Sequence, residues 1–203
     1  MKSFLRNIYT GKYGLLLLAV LFFALSFVFN KLYSNRSSVS LEVKKLERYL
    51  ARQQKDFDDF LSDTSLINRL LVRKESLQEF NQLAEKPYGI FLYQGKDFGE
   101  KKMVFWSEQM INPSPEMVAA NDGESFSQLS NGYYYNIKKT LAGNIKAYAM
   151  ILVRSQFFIE TGYLPQKFTY SHAAEKVLLS EKPTEFPVKA ASGKILFYKK
   201  KKV

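Results

Sequence analysis

The side chains with the most to offer chemically are Trp106, Tyr133, Tyr135 and Arg154. An aromatic cage completed by one guanidinium is a common way to hold a small polar ligand. Aromatic residues on strands also build cores, so the two readings separate on whether the four converge. Elsewhere the chemistry is thin. Without cysteine there is no thiolate zinc site, no disulfide and no thiol nucleophile. The G-x-G-x-x-G, P-loop, G-x-S-x-G and H-E-x-x-H signatures are absent. Asp56, Asp58 and Asp59 read as a solvated helix face, and Asp122-Gly123-Glu124 as a turn, so neither a metal nor a cofactor is expected.

The single histidine, His172, is followed by Ala173 and Ala174, with an acidic residue only at Glu175 and no proline before Pro183. That context suits a surface histidine better than a phosphoacceptor. One positional signal remains. The stretch Gln109 to Ser130, punctuated by Asn112-Pro113-Ser114-Pro115 and Asn121-Asp122-Gly123, is long for a passive connection and would cover one face of a sheet.

The elements that must carry these residues are legible from periodicity. Positions 39, 43, 46, 50, 53, 57, 60, 64, 67 and 71 follow a four-three spacing and are mostly apolar, which predicts a long amphipathic or stalk helix over 37–72. Its seam can pair with a second copy as a coiled coil or lie along its own domain. A second helical pattern, Lys74 to Ala84, stops before Pro87. Strands are expected at Gly89 to Tyr93, Met103 to Trp106, Tyr133 to Lys139 and Ile145 to Val153, with weaker signals at Lys176 to Leu179 and Lys194 to Tyr198. Helices followed by runs of strands predict an antiparallel sheet in an α+β domain.

The chain has 203 residues, 46% of them hydrophobic, and a net charge of +11. The charge gathers at the ends, with Lys2, Arg6 and Lys12 before any acidic residue and Lys199 to Lys202 at the close. That distribution argues against a nucleic-acid partner and for a membrane-flanking role. The apolar run over 13–33 predicts a transmembrane helix of roughly 31 Å, an uncleaved anchor rather than a signal peptide. The expected layout is a head at 1–12, the span at 13–33, the stalk helix at 37–72, a sheet domain at 74–168, and C-terminal strands with a basic tail at 169–203.

Three stretches carry a resemblance: VFWSEQMI at Val104 to Ile111, LSNGYYY at Leu129 to Tyr135, and AYAMILVRSQFFIETGYLP at Ala147 to Pro165. In this order, after an apolar run and a long helix, they resemble the extracytoplasmic input region of bacterial membrane-bound sensor histidine kinases, over roughly 13–168. The resemblance implies a PAS-like or Cache-like sensor domain in which the WS and NGYY strands are neighbouring parts of one sheet. It implies an unknown small-molecule or envelope signal and a single pass through the bacterial inner membrane, with the C-terminal domain periplasmic. A homodimer through helix 39–71 would relay the signal. The chain would be the input portion only, since no ATP-binding module is present. The alternative is a structural assembly protein of the cell envelope with a ferredoxin-like domain, which a clear helix in Gln109 to Ser130 and split βαβ strand order would mark.

Overall fold

The structure, a computed structural model, describes residues 2–95, 102–157, 166–170 and 177–201, with side chains described at 14, 16–28 and, within those ranges, 39–200. His172, most of the link expected at 94–102 and the break expected at 162–165 lie outside the described residues. The chain divides into two units, Met1–Glu42 and Val43–Val203.

Helix α1 (Lys2–Ser62) accounts for the described part of the first unit. The transmembrane helix expected over 13–33 is corrected: among the described residues no helix is long and apolar enough to cross a membrane. The uncharged apolar run, Tyr13 to Phe29, rises about 26 Å at 1.5 Å per residue, less than a hydrocarbon core of about 30 Å. The helix then continues unbroken to Ser62. The expected single-pass inner-membrane location with a periplasmic C-terminal domain is corrected with it. In this run Leu16, Leu17, Phe22, Phe23 and Phe27 are exposed.

In the second unit the seam of α1 is covered by its own domain. Val43, Leu46, Leu50, Phe57 and Phe60 are buried in one cluster with Ile90, Leu92, Tyr135, Ile137 and Ile151. The stalk expected over 37–72 is not one helix, because Asp63 restarts the chain as α2 (Thr64–Leu71), its carboxylate accepting from the Leu66 amide at 2.9 Å. Helix α3 (Leu77–Ala84) opens on a reciprocal cap. Glu79 N donates to Ser76 Oγ at 3.1 Å, and Ser76 N donates to Glu79 Oε2 at 2.8 Å. Arg69 reaches the same glutamate at 2.5 Å and ties α2 to α3.

Five strands follow: β1 (Tyr88–Gln94), β2 (Lys102–Trp106), β3 (Gly123–Leu129), β4 (Gly132–Leu141) and β5 (Ile145–Ser155). They form one sheet in the order β2-β1-β5-β4-β3, and every pairing is antiparallel. The α+β antiparallel architecture is therefore as expected. The WS and NGYY strands, however, are β2 and β4, and β1 and β5 lie between them.

Side-chain alternation splits the sheet into two buried faces. Ile90, Leu92, Tyr135, Ile137, Ala147, Ala149 and Ile151 face the α1 seam, while Phe91, Tyr134, Tyr148 and Met150 pack with Ile111 and Val118 of the β2–β3 crossover. The crossover contains the short helix α4 (Pro115–Ala119). A second antiparallel sheet, β6-β8-β7, is built from β6 (Val177–Ser180), β7 (Pro187–Lys189) and β8 (Ile195–Lys201). Its Val188 and Phe197 join the α1 cluster, and the Phe197 ring stacks 4.4 Å from that of Phe126.

Candidate functional site

The β2–β3 crossover passes from one edge of the sheet to the other, and apolar side chains and a lysine hold it down. Ser114 caps α4, accepting from the Met117 amide at 3.3 Å, and Pro115 sits at the first helical turn where its missing N–H costs nothing. Val118 is buried against the sheet. At the far end, Lys138 Nζ on β4 donates to the carbonyls of Val118, at 2.9 Å, and Ala120. The Tyr148 hydroxyl donates to Val118 O at 3.2 Å, and the Lys138 ammonium lies 5.5 Å from the Tyr148 ring centre. A cation at a helix C-terminus is where the helix dipole favours it. Burial pushes the Tyr148 phenol up, so it stays a donor at neutral pH.

Between α4 and the β3–β4 ribbon lies a cleft of about 440 Å³, lined among others by Glu116, Asp122, Ser125, Asn136 and Lys138. Its polar groups are mostly committed. Asp122 accepts from the amide and the hydroxyl of Thr140, both at 2.7 Å. Lys194 Nζ donates to Glu124 O at 2.7 Å. The Ser114 hydroxyl and its own amide hold the Glu116 carboxyl below its ordinary value.

Asn136 is the exception. It is 4% exposed, its Nδ2 donates to Ser127 Oγ at 2.9 Å, and its Oδ1 is buried with no partner among the described residues. A buried acceptor left unpaired costs free energy.

From the wall of the cleft a polar chain runs to α1. Gln54 Nε2 donates to Glu124 Oε1 at 2.9 Å, and the Tyr135 hydroxyl donates to Gln54 Oε1 at 2.8 Å. Ser192, in the loop before β8, donates to the other carboxylate oxygen of Glu124. Burial raises the Tyr135 pKa, and the Glu124 charge raises it further.

The aromatic residues singled out from sequence do not converge. Trp106 lies on the edge strand β2, 39% exposed, beside a surface hollow of about 200 Å³ with Phe80 and Phe105. Three strand spacings, about 14 Å, separate it from β4. Tyr135 is fully buried under α1. Tyr133 stacks on Phe126 at 5.8 Å, and Arg154, its partner across β5, lies 5.7 Å over Phe168. The structure brings Tyr133 and Arg154 together; Tyr135 connects to the cleft through Gln54 and Glu124, and Tyr133 through the Phe126 ring, which lines it. Asp56 and Asp58 serve the fold, accepting from Lys86 and Tyr88 and from Lys139.

Comparison with known proteins adds nothing to this geometry: no protein-family model, curated protein or solved structure matches the chain.

The residues that sequence reasoning missed are Asn136 and Lys138. Their signal was available as two polar residues at alternate positions with Tyr134, in a strand otherwise apolar enough to be covered on both sides.

Proposed function

We propose that 43–203 forms a small-molecule sensory module, of the kind that serves as the input portion of a sensor histidine kinase. In this reading, occupancy of the cleft under α4 is passed to helix α1. The observation that carries it is the position of Glu124, which lines the cleft and accepts from Gln54 of α1. A ligand that binds one arrangement of this chain about a hundredfold more tightly than another shifts the balance by about 3 kcal/mol. The architecture supports the reading too, since a long N-terminal helix followed by a central antiparallel sheet is the plan that the resemblance implies.

The alternative, an assembly protein with a ferredoxin-like domain, would be marked by a clear helix in the crossover Gln109 to Ser130 and by split βαβ strand order. In the order β2-β1-β5-β4-β3 the consecutive strands β1 and β2, β3 and β4, and β4 and β5 are direct neighbours rather than split, and the crossover helix has five residues. That favours the sensory reading.

Hydrogen exchange on the full chain, with and without a pool of small metabolites, tests it. Slower exchange at 116–127 and 136–138, accompanied by a change at 50–58 of α1, is the expected result. Protection of the cleft with α1 unchanged would remove the relay, and no protection in either segment would remove the sensory function.

A further inference from the structure

A second hollow, of about 370 Å³, lies between α1 and the turn that joins β7 to β8, and it shares no lining residue with the cleft under α4. Its charged lining is Lys44, Glu47 and Arg48 of α1 and Lys189 of β7. What remains is small: Ala51 of α1, and Ala190 and Gly193 of the turn. Long cations around short side chains leave open space that charged groups can reach.

The turn is held in place. The Gly193 amide donates to Ala190 O at 2.9 Å, and the Ala190 amide donates to Lys194 O at 2.8 Å. Gly193 takes a φ of +86°, which glycine adopts without strain. Ser192 and Lys194 both donate to Glu124, and Ala190 is buried in the cluster beneath α1. One wall is thus a helix and the other a hairpin fixed to the core.

The charges around the hollow are unbalanced. Lys86 pairs with Asp56 and Lys139 with Asp58, but among the described residues none accepts from the side chains of Lys44, Arg48 or Lys189. Glu47 is the carboxylate of the lining, and it accepts from the Lys189 amide at 2.9 Å. Three cations against one carboxylate leave a net charge of +2. Lys44 and Arg48 are four positions apart on α1, a spacing at which like charges repel. A dianion among the three would neutralise the hollow and relieve that repulsion. Phosphate and its monoesters carry about 1.5 to 2 negative charges at neutral pH, and their oxygens match a guanidinium fork and the point charge of an ammonium.

We propose that this hollow binds a phosphate-type dianion, which bridges α1 and the β7–β8 hairpin. Arg48 can take two of its oxygens through the guanidinium, with Lys44 and Lys189 supplying the remaining charge.

Inorganic phosphate titrated into the full chain at constant ionic strength, followed by amide chemical shifts, tests the proposal. The resonances of 44–51 and 189–193 are expected to saturate together, with a dissociation constant at least about fivefold below that of acetate. Arg48→Gln and Lys189→Gln should each weaken binding at least about threefold. Ala51→Leu keeps every charge but fills the hollow, and at an exposed helical position it is well tolerated, so it should abolish binding with the fold intact. No saturable shift, acetate bound as tightly as phosphate, or phosphate binding that survives Ala51→Leu would overturn the site. If the leucine variant fails to fold, the ranking of phosphate over acetate and the two glutamine variants decide. Retention on phosphatidylcholine vesicles that requires added phosphatidic acid and is lost in Ala51→Leu would name a lipid headgroup as the source of the phosphate. Binding of glycerol 3-phosphate without such retention would name a soluble one. Failure here leaves the reading of the cleft standing, since the two sites have no residue in common.

Discussion

Gln54 of α1 and Glu124 of β3, seventy positions apart, are joined by a 2.9 Å hydrogen bond. The oxygen of the same amide accepts from the Tyr135 hydroxyl, so one side chain reports on two strands at once. Removing either partner leaves the other short of a bond in a part-buried setting. Gln54→Ala and Glu124→Ala, singly and together, should give a coupling energy of about 1 kcal/mol in a double-mutant cycle read by urea denaturation. A coupling near zero would show that this contact transmits nothing.

Acid should weaken the same network. Burial pushes the Glu124 carboxyl up, but hydrogen bonds from Ser192 and Gln54 outweigh it and leave the group below its ordinary 4.5. At Asp56, burial likewise raises the carboxyl, while the Lys86 and Tyr88 hydrogen bonds bring it below its ordinary 3.8. Both groups titrate lower folded than unfolded, so their contribution is complete above the unfolded values and is lost as pH falls through the folded ones. The urea midpoint should hold steady down to about pH 5 and decline below about 4.5. The Glu124→Gln, Asp56→Asn double variant should decline less steeply, and an unchanged slope would count against these carboxylates.

Gly132 opens β4, where a Cβ would stand 2.4 Å from the carbonyl oxygen of Arg154 and its backbone φ is +157°. Gly132→Ala must push two paired strands apart. A loss of about 1–3 kcal/mol, with an unchanged denaturant slope, is expected.

Phe57 distinguishes a helix covered by its own domain from one covered by a second copy. It is fully buried, with the Phe60 ring at 6.1 Å and the Tyr88 ring at 6.2 Å. Phe57→Ala should cost about 3–5 kcal/mol, and the loss should be the same at micromolar and at hundredfold higher protein concentration. A loss that shrinks as the protein is concentrated would place the seam between copies instead.

The parts of the fold legible in the sequence were those in which burial and pattern agree. The seam residues Val43, Leu46, Leu50 and Phe57 recur at helical spacing because one face of α1 lies on the sheet. Runs such as Ile90 to Leu92 and Ala147 to Ile151 are apolar at successive positions because both faces are covered. Strand β3 escaped because GESFSQL is a polar edge strand whose exposed positions carry no hydrophobic signal. Helix α4 escaped because Ser114-Pro115, a turn pair in isolation, here caps a single helical turn. The cleft was hidden for another reason. Whether Asn136 looks toward α1 or toward the crossover depends on its pairing with Met150, and register is a long-range property.

The clamp on α4 has a bearing on how this protein can change over generations. Lys138 and Tyr148 grip the end of that helix by backbone carbonyls, which every residue type possesses. Glu116 and Met117, which line the cleft from the roof, can therefore be exchanged without loosening the grip. If the cleft takes a ligand as proposed, selection can retune it one roof residue at a time, while the sheet beneath keeps its sequence.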